Sequence, residues 1–434
     1  MRKHYQRNVI ALAVATTLCG ASTLASAAGF ALIEQSASGM GNAFAGAAAT
    51  AEDASTIFYN PAGMSKLSGN QFAVAGHAID LSLKFSNNGT SRAAGGGAIP
   101  LGPVSGDDGG QAGGTSFVPN LYLTHPINEQ WTIGLGVNAP FGLKTEYDST
   151  WVGRYQGIKS EITSYNINPA VSYKMSDTLS LGAGVNYQHL KASLTNAIMT
   201  GPGPISVNPD AIATLDADDD AWGWNLGLLA QITPDTRVGV SYRSQLKYTL
   251  SGTTSAAIPG VGTVLPTTNI STDVTLPDMA SLSIMHKLND KWDLLGDATF
   301  TRWSKLDTLN VNTSSGTLDT LVFKFDDSWR VSLGANYHYS ERWTFKGGVA
   351  WDQTPVQDQY RTVRLPDNDR KWLSFGGKYK VSQNGAIDFG YSHLFISNAS
   401  INNTKVGQGG LTTTVIGSYE GSIDILSVQY SQAF

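Results

Sequence analysis

Cysteine is almost missing from this chain: of 434 residues only Cys19 is one. It lies in an N-terminal segment built like an export signal. Arg2, Lys3 and Arg7 precede an apolar run from Val9 to Leu18, and Ala25, Ser26 and Ala27 form a small-residue cleavage site. The run is too short and wrongly flanked to anchor the chain in a membrane, and Leu18 is too bulky for a lipoprotein cleavage site. Cleavage after Ala27 leaves no cysteine at all, so no disulfide framework is needed in an oxidising compartment. Long apolar runs are missing as well. No later segment holds about 18 uninterrupted apolar residues, which excludes spanning helices. Basic charge is also scarce. Without the signal, 26 basic residues face 34 acidic ones, a net charge of −8 that argues against a nucleic-acid partner.

Catalytic constellations are missing too. The six histidines beyond the signal (His77, His125, His189, His286, His338 and His393) show no His-x-x-x-His spacing and have no cysteine to join them. No Gly-x-Ser-x-Gly elbow and no phosphate-binding loop occur. Neither an enzyme nor a metal or cofactor is expected. Asp218, Asp219 and Asp220 read as a solvated loop before they read as a calcium site.

What the chain does have is alternation. Val331, Leu333, Ala335, Tyr337 and Tyr339 share one face of a strand, and Ser332, Gly334, Asn336 and His338 share the other. After Ser340, Glu341 and Arg342 the pattern resumes, with Trp343, Phe345, Val349 and Trp351 opposing Thr344, Lys346, Ala350 and Asp352. That is an antiparallel hairpin. A soluble β-sandwich alternates in the same way. Against it stand the aromatics at the ends of the apolar face, the connectors that run short, long, short, long, and the export signal. An exported chain without spanning helices enters a membrane as a closed barrel, in which every backbone group finds a partner.

Fourteen strands are expected, near 70–84, 117–125, 131–147, 160–174, 179–193, 221–233, 236–250, 272–287, 292–306, 321–340, 343–354, 370–380, 386–397 and 420–434. Short turns rich in Asn, Asp, Ser, Pro and Gly join them on one side, and long loops at 85–116, 194–220, 251–271 and 398–419 on the other. The fold expected for residues 70–434 is therefore an all-β, 14-stranded antiparallel transmembrane β-barrel in a Gram-negative outer membrane. Residues 1–27 are the signal. Residues 28–69 break the strand pattern, with many Gly and Ala punctuated by Phe30, Leu32, Met40, Phe44 and Ile57. A periplasmic tail would not keep so many apolar residues in water, so this segment is expected as a hatch inside the lumen.

From Ala28, Gly29 and Phe30 to the C-terminal Phe434 the chain resembles the FadL-type long-chain fatty acid transporters, a family that includes toluene and xylene uptake porins. The resemblance rests on Asn60-Pro61-Ala62; on Trp151, Gly153, Arg154 and Tyr155; on Leu276-Pro277-Asp278 and Trp303-Ser304. It rests further on Asp352, Pro355 and the run Leu365-Pro366-Asp367-Asn368-Asp369-Arg370 with Trp372, Leu373 and Ser374. It implies a 14-stranded barrel with an N-terminal hatch, the count that alternation gives independently.

Candidate site residues follow. Pro140, Phe141 and Gly142 interrupt the third strand, where a missing N–H and a bulge-prone glycine part neighbouring strands. This is either a plain strand end or, as the resemblance implies, a lateral opening. Ile198, Met199, Ile205, Val207, Ile258, Val261 and Leu265 cluster in two long loops and either capture an apolar ligand or close the mouth by packing together. The resemblance implies that Phe30 reaches an inner pocket and that the hatch moves around Asn60, Pro61 and Ala62. A carboxylate cargo needs a cation. The family's arginine position falls on Asn196 here, which leaves Lys191 and Lys324 as candidates beside the alternative of solvated lysines.

The expected activity is passive, downhill uptake of long-chain fatty acids, with uptake of neutral alkanes or aromatics as the alternative and an adhesive or structural barrel as a distant one. Outer-membrane lipid, lipopolysaccharide and the barrel assembly machinery are the expected partners of a monomer.

Overall fold

The computed structural model describes residues 29–200, 210–407 and 410–434. The export signal expected at 1–27 and the loop residues Ile205 and Val207 lie outside the described residues. Fourteen antiparallel strands close into a barrel. β1 is Gln71–Asn87 and β2 is Gly114–Pro126, while β3 comes in two pieces, Trp131–Asn138 and Gly142–Glu146. β4 is Lys159–Lys174, β5 is Leu179–Ile198 and β6 is Ala211–Thr233. β7 joins Thr236–Arg243 to Leu246–Ile258, and β8 returns as Gly262–Leu276 and Met279–Lys287. β9 is Trp292–Thr301 with an outer piece Thr308–Thr313, and β10 is Gly316–Val322 followed by Ser328–His338. β11 is Trp343–Asp352 and β12 is Arg370–Lys380; β13 joins Gly385–Ile396 to Ala399–Val406, and β14 is Thr412–Ala433. β1 closes the wall by pairing with β2 through Gln71 and Thr124 and with β14 through Gln71 and Ala433.

The two faces of each strand follow the alternation. On β10 and β11, Leu333, Val349, Phe345 and Trp351 face outward and are exposed, whereas Ser332, Asn336, Lys346 and Asp352 are buried in the lumen. Aromatic pairs belt the outside at both ends of the strands. Trp292 stacks near Tyr337 with ring centroids 4.7 Å apart and Trp343 near Tyr379 at the same distance, while Phe300 and Trp329 meet 5.0 Å apart at the other end. Such rings suit the boundary between hydrocarbon and water. Several strands run further than alternation foretells: β5 reaches Ile198, β6 begins at Ala211, and 251–271 is largely a hairpin. Above the bilayer a strand has no lipid face, so its apolar period fades while its ladder continues.

Residues 29–69 fold inside the barrel as short turns: helical at Ala37–Met40, Ala47–Thr50 and Thr56–Tyr59, and 3₁₀ at Pro61–Lys66. Ser36 caps the first by accepting from Gly39 N. Asn60 caps the last, its Oδ1 accepting from Ala62 N at 3.1 Å with Pro61 at the first helical position. Its amide Nδ2 donates to Ala48 O at 2.7 Å and to Leu228 O of β6 at 3.0 Å. One side chain thus joins two hatch turns to the wall. The wall meets the hatch with glycine. A Cβ on Gly182 of β5 would run into the Ala62 backbone, and one on Gly227 of β6 into the Asn60 side chain. Ala43 and Phe44 adopt left-handed φ of 52° and 56°. That costs roughly 1–3 kcal/mol each, and Arg330 of β10 holds the turn by donating to Ala43 O at 2.8 Å.

Gly227→Leu should leave the barrel folded and unseat the hatch. The expected result is unchanged heat-modifiable migration with new protease cleavage within residues 37–66; a hatch as protected as in the wild type would refute the close-contact account.

Candidate functional site

The wall is broken at β3. Its lower piece pairs with β2 from Leu121–Val137 to Pro126–Thr132, but its upper piece, Gly142–Glu146, pairs with β4 alone. Between Asn138 opposite Asn166 and Gly142 opposite Thr163, β3 carries one residue more than β4. The extra length bows it off the ladder as a bulge does. Pro140 lies in the bow and has no N–H to offer. The hatch supplies the missing bonds: Leu32 N donates to Pro140 O at 2.8 Å and Gly142 N to Phe30 O at 2.9 Å. Gln35, fully buried, spans the gap. Its Nε2 donates to Ala139 O of the β3 bow at 2.9 Å, and its Oε1 accepts from Asn120 of β2 at 2.9 Å.

Behind the break lies an apolar cavity with about 850 Å³ of atom-free space, lined by Phe30, Leu143, Leu190, Leu250, Val274 and Leu306 among others. Phe30 meets Trp303 edge-on at 4.9 Å and lies 6.0 Å from Phe141. Gly29 N donates to Asp367 Oδ2 at 2.9 Å, which ties the start of the hatch to the loop between β11 and β12. A second cavity of about 1050 Å³ lies toward the outer mouth and includes Asn196, Ile198, Met199, Asp319 and Lys405. Leu194, Leu215, Val311, Leu321 and Arg364 line both cavities, so the two adjoin.

Arg364 stands at that junction. It is 7% exposed and donates to Lys159 O and Ser160 Oγ at 3.0 Å each, with Asn196 Oδ1 at 3.5 Å. Its Nε is buried without a partner, and among the described residues no carboxylate lies within ion-pair distance of it. Burial pushes the guanidinium down to about 10, against the pull of Asp319 and Tyr147, so it stays charged at neutral pH. The nearby lysine is already taken: Lys405 Nζ pairs with Asp319 at 2.7 Å.

The hatch is held from the opposite wall by charge. Glu52 accepts from Lys346 Nζ at 2.7 Å and from Lys378 Nζ at 2.9 Å, with Asp388 behind both lysines. Glu34, at 2% exposure, has an Oε2 with no partner. Burial raises its carboxyl to about 7, although Arg330 and Arg370 pull it back.

The structure brings Phe30, Asn196, Ile198 and Met199 onto the two cavities, sets Asn60, Pro61 and Ala62 on the hatch–wall contact, and places Pro140, Phe141 and Gly142 at the break. It does not bring the two lysines there. Lys191 lies on the outward, exposed face of β5, because inward positions on this strand are the even ones, such as Leu190 and Ala192. Lys324 is exposed and paired with Asp307 at 2.7 Å. Ile258, Val261 and Leu265 sit on the outer β7–β8 hairpin and line neither cavity, with Val261 75% exposed. The cation that sequence reading missed, Arg364, sits in a connector with no period, beside the Leu365–Arg370 run.

Residues 18–434 match the family model described as outer membrane protein transport protein (OMPP1/FadL/TodX). Outer membrane protein P1 of Haemophilus influenzae is 32% identical over 88% of this chain and 89% of its own length. The long-chain fatty acid transport protein of Escherichia coli K12 is 30% identical over 90% of this chain and 93% of its own. A Pseudomonas aeruginosa FadL homologue superposes with a TM-score of 0.86 at 25% identity, over 94% of this chain and 100% of that one. The Ralstonia pickettii toluene transporter TbuX shares the fold, with a TM-score of 0.66 at 20% identity over 93% of this chain and 100% of its own.

Two tests address this geometry. Because the folded Glu34 carboxyl lies above its ordinary value, the folded protein favours the proton; the contribution of Glu34 to hatch stability is full below its ordinary 4.5 and is lost as pH rises through about 7. The protection of the hatch amides, corrected for the intrinsic pH dependence of exchange, should therefore fall as pH rises from 4.5 to about 7 in the wild type but not in Glu34→Gln, and a protection that stays level in the wild type would count against it. Gln35→Ala should strip the bridge across the break at a cost of about 1–3 kcal/mol, read as faster exchange at Leu32 and Gly142 with the rest of the wall unchanged.

Proposed function

This chain belongs to the OMPP1/FadL/TodX family of outer-membrane transport proteins of Gram-negative bacteria, and from that membership we propose that its cargo is a long-chain fatty acid. The observation that carries the reading is Arg364, a buried cation without a carboxylate at the junction of an apolar inner cavity and an outer one of mixed polarity. An amphipathic molecule fits that arrangement. Its carboxylate meets Arg364 and Asn196, and its hydrocarbon tail runs along Leu190, Leu250 and Val274 towards Phe30. A bidentate, charge-assisted contact in a dry site is much stronger than the same contact in water.

Capture begins in the outer cavity at Ile198 and Met199, and the tail then enters the inner one. Passage requires the hatch to shift around Asn60, Pro61 and Ala62. Separation of Phe30–Leu32 from Pro140–Gly142 opens the break between β2 and β3, and the molecule leaves sideways into the bilayer. The movement is diffusive and downhill and uses no nucleotide. The inner cavity alone, with almost no polar lining, favours a second reading, uptake of neutral hydrocarbons by the same route.

Oleate and hexadecane binding to purified protein, followed by tryptophan fluorescence, separates the two. Arg364→Leu should weaken oleate roughly tenfold to hundredfold and leave hexadecane unchanged. Equal loss for both ligands would remove the carboxylate contact, and a wild type that prefers hexadecane would establish the hydrocarbon reading.

A further inference from the structure

A third cavity lies deeper in the lumen between the hatch and β6 to β9, with about 580 Å³ of atom-free space that includes open solvent, so an acyl chain seats there only by displacing the hatch residues that line it. Its hatch side is apolar and aromatic: Leu32, Ile33, Phe58, Tyr59 and Pro61. Its wall side carries Arg243 of β7 and Asn225 of β6. Arg243 donates to Asn186 Oδ1 and, at 3.1 Å, to Phe58 O, and its guanidinium lies 4.4 Å from the Phe58 ring centre. Among the described residues no carboxylate comes within ion-pair distance of it. A guanidinium has five N–H groups in a planar fork, so donors remain for a ligand on the cavity side.

Asn225 supplies the second observation. Its Oδ1 accepts from Asn186 at 3.0 Å and from Asn168 at 3.1 Å. Two incoming donors fix the amide with Nδ2 on the other side, and that Nδ2 is buried with no partner. Arg243 and Asn225 share Asn186 as a neighbour, so a cation and an orphan amide N–H stand together beside an apolar floor. The one acid of this cavity, Asp297, is occupied on the far wall by the hydroxyls of Ser283 and Thr299.

We propose that this cavity is a second station for an acyl carboxylate, held by Arg243 and the Asn225 amide with the chain lying over Leu32, Ile33 and Phe58. The proposal rests on the fatty-acid reading above. It adds what happens after release from Arg364: the head group has a second cation to move to. The floor of the new station is made by Leu32, whose backbone closes the break at Pro140. An acyl chain seated there presses on the segment that must move for the wall to open.

The test is equilibrium binding of radiolabelled oleate, with oleyl alcohol as the uncharged probe, to purified full-length protein in a neutral detergent. Wild type should show a tighter and a weaker class of bound oleate. Arg243→Met and Asn225→Asp should each weaken the second class at least about tenfold, leave the first intact and leave oleyl alcohol unaffected. Asn225→Asp keeps the Oδ1 acceptor and gives Arg243 a carboxylate of its own, so it fills the station without removing a fold contact. Arg364→Leu should weaken the first class only. A single class in the wild type, or a second class indifferent to both variants, overturns the station while leaving Arg364 standing. No oleate binding at all overturns the fatty-acid reading and the station with it.

Discussion

An unpaired peptide group in hydrocarbon costs several kcal/mol, and this requirement governs the wall more than any side-chain contact does. It makes the barrel closed, with β1 bonded on both edges, and it makes any break in the wall dependent on a substitute partner. At β3 the substitute is the hatch. Leu32 and Phe30 give Pro140 and Gly142 the bonds that β2 does not, and Gln35 ties the two edges together. Wall and hatch are therefore a single hydrogen-bonded object at this point. Without Phe30 and Leu32 the peptide groups of Pro140 and Gly142 would be left unpaired at the break.

Elsewhere the hatch is held by contacts of another kind. The lumen meets it with Lys346, Lys378, Arg330 and Arg237, which bond to Glu52 and to the carbonyls of Ser38, Ala43, Ala49 and Thr50. Burial alone would raise the Glu52 carboxyl, but the two lysines outweigh it and hold it below the usual carboxylate range. This grip is thus complete at neutral pH and is lost only in strong acid. Each hydrogen bond of this sort has a charged donor and contributes about 1.5–3 kcal/mol net, because water can replace either partner. The hydrocarbon side of the wall offers no such replacement. Wall and hatch are thus held against different competing solvents, hydrocarbon for the one and water for the other.

Much of this was legible in the sequence because a lipid-facing strand has to alternate. Val331 to Tyr339 and Trp343 to Asp352 announce their two faces, and the small residues of 28–69 announce something that is neither strand nor tail. The cation site was not legible in the same way. Lys191 is adjacent in sequence to residues that line the cavity, but an odd position among even inward ones puts it outside, so its parity already argued against it. Lys324 looked available because Asp307 lies far from it in sequence. Arg364 and Arg243 become visible only when the chain is folded. One sits in an aperiodic connector, and what sets the other apart is the lack of an acidic neighbour, which only coordinates reveal. The glycines at 182 and 227 carried a signal that alternation could have exposed: two inward positions without a side chain, both facing whatever fills the lumen.

The hatch precedes β1 in the chain, and the seam that closes the barrel is the 17-residue β1 strand against β14. Gly69 sits beside the carbonyl of Phe434, and Phe434 N donates to Asn70 O at 2.8 Å, so the hatch enters the lumen at the seam itself. A finished wall offers this segment no way in except through an end already crowded by its own turns. Closure of the seam therefore fixes the point at which the hatch turns into the lumen.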